Sequence, residues 1–411
     1  MEPNDRSREA PSASSVQKNP ALGALRALLT LLVVAHHAAL AYISWAPPAP
    51  VSLLTQPRLW LAFPISDVDK ARALDLFTGW NDTWFMALFF LVAGVVAWPS
   101  LARKGAGAYF RDRLRRLGLP FLFAAGLLAP LAYFPTWLAI PRQPSVQPGN
   151  GSFAEQWLAL GSWPAGPAWF LWVLLAFAGA AALVYRFAPE WGTALGRLSE
   201  RLARAPIFYF LALLAITAAA YLPLAAHFRP ETWLDFGPFW IQISRALLYA
   251  VYFAAGAGIG AGGLDRGLLD PAGRLARRWP LWAGAAALSF GLAMAVLFAI
   301  LGAFAHGGPS VPLLAAGNLA FVLCCATTSL AVLGLCVRRV RRSPRWLANL
   351  EANAFGIYLL HYAAVSWLQL ALLPVALPGS GKWLLVFIGA VAASWLTTAL
   401  LRRMPALARL L

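Results

Sequence analysis

Long apolar stretches alternate with short, arginine-rich polar ones along nearly the whole chain. Ten apolar runs can be drawn, at roughly 24–45, 76–98, 118–139, 167–187, 206–226, 239–262, 281–305, 313–337, 350–373 and 383–401. Each is near the ~20 residues that a helix needs to cross the hydrocarbon core. The pattern predicts an all-α, polytopic membrane protein with a membrane domain over 21–403. Residues 1–20, rich in Ser, Pro, Asn and mixed charge, read as a disordered cytoplasmic tail, and 404–411 as a second, short one. The first run is too long for a signal-peptide core and is read as a retained span.

Composition agrees. Of 411 residues, 60% are hydrophobic and 12% charged, with mean hydropathy +0.66, against about 25% charged in soluble domains. The net charge of +17 would suggest nucleic acid or an anionic surface in a soluble protein. Here the cations cluster between apolar runs, so topology accounts for them and nucleic acid is not an expected partner. With a cytoplasmic N-terminus, 22 of the 33 Lys and Arg fall in inside loops and the C-terminal tail, and 6 in outside loops. This satisfies the positive-inside rule and puts both termini in the cytoplasm, as expected of a bacterial inner-membrane protein. The long outside loops are 46–75 and 140–166. Cys324, Cys325 and Cys336 share one run and read as buried small hydrophobes rather than a disulfide framework.

Charges inside spans are costly, so a functional role is their default reading. Arg26 and His37 lie in the first run, eleven residues apart. At about 100° each this is three turns plus about 20°, which places both on one helix face about 16 Å apart; His36 points about 100° away. Asp82, Arg245 and His361 fall in other runs, at mid-depth or above. Either the four groups His37, Asp82, Arg245 and His361 share an outward-opening cavity, or they satisfy one another as ion pairs. A histidine with a carboxylate beside it deprotonates hydroxyls, which makes His37 a candidate base and Asp82 its candidate orienting partner. Arg111, Arg113, Arg115 and Arg116 form a basic run, read as a short amphipathic helix on the inner surface. It serves topology and anionic lipid headgroups, or forms a phosphate site with Arg26.

Nucleophile-elbow, Walker, Cys-x-x-Cys and His-Glu-x-x-His motifs are lacking, and no metal site is expected. Gly256-Ala-Gly-Ile-Gly260 suits close helix packing better than phosphate binding. His227 and His306 fall in outside loops as lone surface histidines.

These residues resemble the acyltransferase-3 family of membrane acyltransferases. The resemblance rests on Arg26-x10-His37, Leu88-Phe-Phe-Leu-Val-Ala-Gly94, the basic run Phe110–Pro120, Ala168-Trp-Phe-Leu-Trp172 and Asn353-Ala-Phe-Gly-Ile-Tyr-Leu-Leu-His361, in order over about residues 20–401, and looks closest to the glucans biosynthesis protein C branch. Ala93 departs from the Ser of many relatives. The resemblance implies transfer of an acyl group, often acetyl or succinyl, from cytosolic acyl-CoA to a carbohydrate or other hydroxyl acceptor, with no tightly bound cofactor. It implies His37 as the catalytic histidine, Arg26 as its signature partner, and Arg111, Arg115 and Arg116 near the donor. His361 matches the late-span histidine, and Trp169 lies in the matched aromatic opening as a candidate substrate contact with Arg245. Buried Arg and His also suit a transporter of an anionic solute, but neither an inverted repeat nor paired broken helices are evident.

Overall fold

The computed structural model describes residues 19–55, 57–140, 151–408 and 410. Among them ten helices are long and apolar enough to cross a bilayer: Pro20–Ala39, Arg72–Lys104, Ala106–Ala139, Gly166–Phe187, Pro206–Phe228, Ile243–Gly262, Trp279–Phe304, Val311–Arg339, Arg345–Leu372 and Gly379–Leu401. Taken as first to tenth spans, they correspond one for one to the ten apolar runs. The chain is an integral, multi-pass, almost wholly helical membrane protein. Most of the expected N-terminal tail (1–18) and part of the second long loop (141–150) lie outside the described residues. The first span starts earlier than its apolar run because Asn19 caps it, accepting from the Ala21 N–H at 2.9 Å, with Pro20 in the first turn where its missing N–H costs nothing.

The second and sixth spans pack backbone to backbone. A Cβ on Gly256 would collide with the Leu91 carbonyl, one on Gly260 with Val95, and one on Gly94 with Phe253. The glycine cluster therefore serves close helix packing, as its composition suggested. The first span lies along the ninth, and the ninth along the tenth. The eighth span is largely buried, whereas the seventh buries only Ala286 and Ser289.

The basic run differs from expectation. It is no separate surface helix; Ala106–Arg113 forms the first turns of the third span. Two wide, π-type turns follow, Leu114–Gly118 and Ala124–Leu128, each just ahead of a proline, Pro120 or Pro130, that cannot donate to the ladder. A loop residue and a neighbouring span satisfy freed carbonyls, as lipid demands. Trp163 Nε1 donates to Ala125 O at 2.7 Å, and Trp367 Nε1 to Leu131 O, the acceptor that Pro135 leaves open, at 3.0 Å.

The sixth span is also shorter than its apolar run. Phe239–Gln242 forms β2 of a hairpin with β1, Trp233–Phe236, in the register Trp233↔Gln242 and Phe236↔Phe239. Gly237 at φ 55° makes the turn that lets aromatic residues pair as strands. The span begins at Ile243, so Arg245 sits in its first turn rather than well below its end. At the same end of the bundle, the buried Lys382 ammonium lies 2.8 Å from both Asp67 and Asp69 and ties the first long loop to the tenth span.

Gly260→Leu should force the second and sixth spans apart, costing about 1–3 kcal/mol or more and lowering the thermal midpoint of the purified protein. Gly284, with open space around it, should accept Leu without loss. Equal midpoints for the two variants would contradict the packing.

Candidate active site

His37 and His361 meet inside the bundle. His37 stands two residues before the end of the first span, and three neighbours fix that end. Gln369 Nε2 donates to the carbonyls of His37 at 3.1 Å and Ala38 at 3.2 Å, and Trp383 Nε1 to that of Ala35 at 3.0 Å. The Ala38 carbonyl is among the last four that a helix end leaves unpaired, and the His37 carbonyl also accepts from the Leu40 N–H at 3.4 Å. His361, wholly buried in the ninth span, places its Nε2 at 3.1 Å from His37 Nδ1.

The partner atoms assign the tautomers. His361 Nδ1 lies 2.6 Å from the Tyr358 carbonyl. A carbonyl only accepts, so Nδ1 of His361 carries the proton and its Nε2 offers a lone pair. His37 Nδ1 therefore donates, shared between His361 Nε2 and the Val33 carbonyl at 2.9 Å. The remaining nitrogen, His37 Nε2, keeps its lone pair and is the basic atom of the pair. The Tyr362 ring stands edge-on to His37 at 5.1 Å, its hydroxyl donating to Leu61 O at 3.3 Å.

A cavity of about 210 Å³ opens at the bundle end where the first, third and ninth spans begin. Arg26, Arg113 and Glu351 supply its charge, Thr30 and Tyr109 further polar groups, and Phe89, Phe170 and Tyr358 part of its wall. The Arg113 guanidinium lies over the Tyr109 ring at 5.1 Å. Glu351 accepts from Ser343 Oγ at 3.0 Å, and its carboxylate occupies the space a side chain at Gly23 would need. Arg26 and His37 thus share a helix side, with the cation at the cavity and the imidazole beyond Tyr358. Of the basic run only Arg113 reaches this cavity, because Tyr109, Arg113 and Leu117 repeat at helical spacing. Arg111, Arg115 and Arg116 are exposed outside it.

Asp82 is not the orienting partner of His37; His361 takes that place. Asp82 is held by Arg245 through two contacts, Nη1–Oδ1 at 3.1 Å and Nη2–Oδ2 at 2.6 Å. The reason is helical phase. Asn81 faces the first span, donating to Leu32 O at 3.4 Å, and Asp82, about 100° further round, faces the sixth. The Arg245 guanidinium also covers the Phe321 ring at 4.8 Å. His36 stacks on Phe85 at 5.5 Å, on the side of Asp82 and Arg245. Buried His36 Nδ1 and Arg245 Nε have no hydrogen-bond partner among the described residues. Trp169 packs on Tyr249 and Trp233, away from the histidines, while its neighbour Phe170 lines the cavity.

Sequence reasoning missed Tyr358 and Glu351. Their signal was present: Glu351, Ala354, Phe355 and Tyr358 recur at helical spacing, and all line the cavity.

A family model described as an acyltransferase domain, acyltransferase 3, matches residues 19–399. The chain belongs to this family. It is an acyltransferase, and the match covers the histidine pair, the arginine cavity and all ten spans. No curated protein and no solved structure matches the chain.

In this acyltransferase, His361→Ala should cut acyl transfer by about 10²–10⁴-fold, close to the loss for His37→Ala. The double variant should lose little more, as for residues acting as one unit. Transfer assays on equal amounts of folded protein would check this, and multiplicative losses would mean that the histidines act independently.

Proposed function

We propose that this acyltransferase is an O-acyltransferase that moves an acyl group from cytosolic acyl-CoA to a hydroxyl of a carbohydrate or other acceptor on the far side of a bacterial inner membrane. One observation carries the reading: a cavity with Arg26 and Arg113 at its mouth ends on Tyr358, whose carbonyl orients the histidine pair. Two guanidiniums suit the paired acceptor oxygens of a nucleotide's phosphates, and the largely apolar wall suits an uncharged thioester arm.

In this mechanism His37 Nε2 takes the proton of the acceptor hydroxyl while its oxygen attacks the thioester carbonyl carbon. The tetrahedral oxyanion collapses, the C–S bond breaks, and the CoA thiolate leaves and takes up the proton from His37. The products are an ester and free CoA. During the step His37 is imidazolium, and its Nδ1–H bond to the neutral His361 Nε2 becomes charge-assisted and stronger. The acceptor enters from the opposite end, where the carboxylate of Asp82, its side chain 49% exposed, offers acceptor oxygens to a hydroxylated molecule. The arginine-rich loops keep the donor end in the cytosol.

Arg113→Gln should raise the apparent KM for acyl-CoA about tenfold or more, whereas Arg115→Gln and Arg116→Gln should each leave it within a factor of about five, since an exposed charge contributes ~1 kcal/mol at most. Equal effects at all three positions would return the run to a topological role. In oriented vesicles, acyl-CoA supplied to the basic-loop face should support transfer and acyl-CoA supplied to the other face should not. Equal activity from both faces would rule out the two-sided route.

A further inference from the structure

A second cavity, of about 20 Å³, shares Tyr358 with the arginine cavity. His361 and Tyr362 form part of the small one's wall. The rest is apolar: six alanines, among them Ala124, Ala129 and Ala132, with Leu128, Pro167 and Leu359. The wide turn Ala124–Leu128 brings two of the lining residues there. We propose that this cavity receives the acyl group of the donor and restricts it to a short, uncharged one, acetyl above all. The inference rests on the acyl-CoA reading above and sharpens it.

Size and polarity both point this way. The space holds about one water-sized group, which is the size of the acetyl methyl. None of the described residues lining it carries a fixed charge, and its polar groups are committed. The Tyr358 hydroxyl donates to the Pro167 carbonyl and that of Tyr362 to Leu61, while His361 is occupied by Tyr358 and His37 at its two nitrogens. A succinyl carboxylate would meet no cation and no free donor, and an unpaired buried charge is prohibitive. A longer alkyl chain would meet the alanine wall. A donor with its phosphates at Arg26 and Arg113 and its thioester at Tyr358 presents its acyl end to this cavity beside His361.

The test uses the purified full-length chain in lipid nanodiscs. Binding of free CoA, acetyl-, propionyl-, butyryl-, hexanoyl- and succinyl-CoA is measured by calorimetry, and acyl transfer from each thioester is measured in membrane vesicles bearing the same chain. Acetyl-CoA should bind tighter than free CoA and transfer fastest. Each added methylene should cost about tenfold or more in transfer, and succinyl-CoA should be at least about 100-fold slower than acetyl-CoA. Leu128→Ala, which enlarges the wall at a half-buried position, should shift the optimum toward butyryl-CoA. Succinyl- or hexanoyl-CoA transferring as fast as acetyl-CoA would overturn the proposal, as would a chain-length profile that Leu128→Ala leaves unchanged in folded protein. Failure of CoA and of every thioester to bind would overturn the acyl-CoA reading itself, and this inference with it.

Discussion

A neutral imidazole donates from one nitrogen and accepts at the other, and the chemistry of this site follows from that rule applied twice. The Tyr358 carbonyl sets the proton on His361; His361 in turn sets the proton on His37 and leaves His37 Nε2 basic. The arrangement needs no carboxylate. It does need two helices from opposite ends of the chain to keep a 3.1 Å contact. Gln369 and Trp383, on the ninth and tenth spans, bond the last carbonyls of the first. The same contacts that complete a helix end also hold His37 in register.

The remaining charges obey the same accounting. A charge removed from water is tolerated when it is paired and hydrogen-bonded. Lys382 meets Asp67 and Asp69 at one buried corner, and Arg245 grips Asp82 with both terminal nitrogens. Breaking a buried pair is far more costly than its net contribution to stability, so these pairs constrain helix order and loop placement. The Asp82–Arg245 pair remains partly open on its carboxylate side. That openness suits a polar molecule entering there.

The basic run shows how one segment serves two ends. Every arginine in it contributes to the charge asymmetry between the two sides of the membrane, whichever way its side chain points. Only Arg113 has the helical phase that brings it beside Arg26. Pro120 and Pro130 of the third span add the second ingredient: each follows a wide turn, and the turn Ala124–Leu128 brings Ala124 and Leu128 to the cavity that His361 lines. One span thus supplies Arg113 to the arginine cavity and part of the wall of the small one.

The sequence by itself determined the ten spans, the membrane class, the shared face of Arg26 and His37, and the packing role of the Gly256–Gly260 cluster. Each follows from local quantities: apolar length, helical angle and the absence of a side chain. The family was legible too, through short motifs in order. What only the tertiary structure decided is which groups meet. Asp82 and His37 looked like partners by depth, but depth along a span says nothing about angle around it, and one residue of phase sent Asp82 to Arg245. The four arginines of the basic run looked equivalent because the wide turns and the position of the neighbouring spans are not written in their spacing. The meeting of His37 with His361, 324 residues later in the chain, depends on how the first and ninth helices pack, and helix packing is a property of two surfaces together.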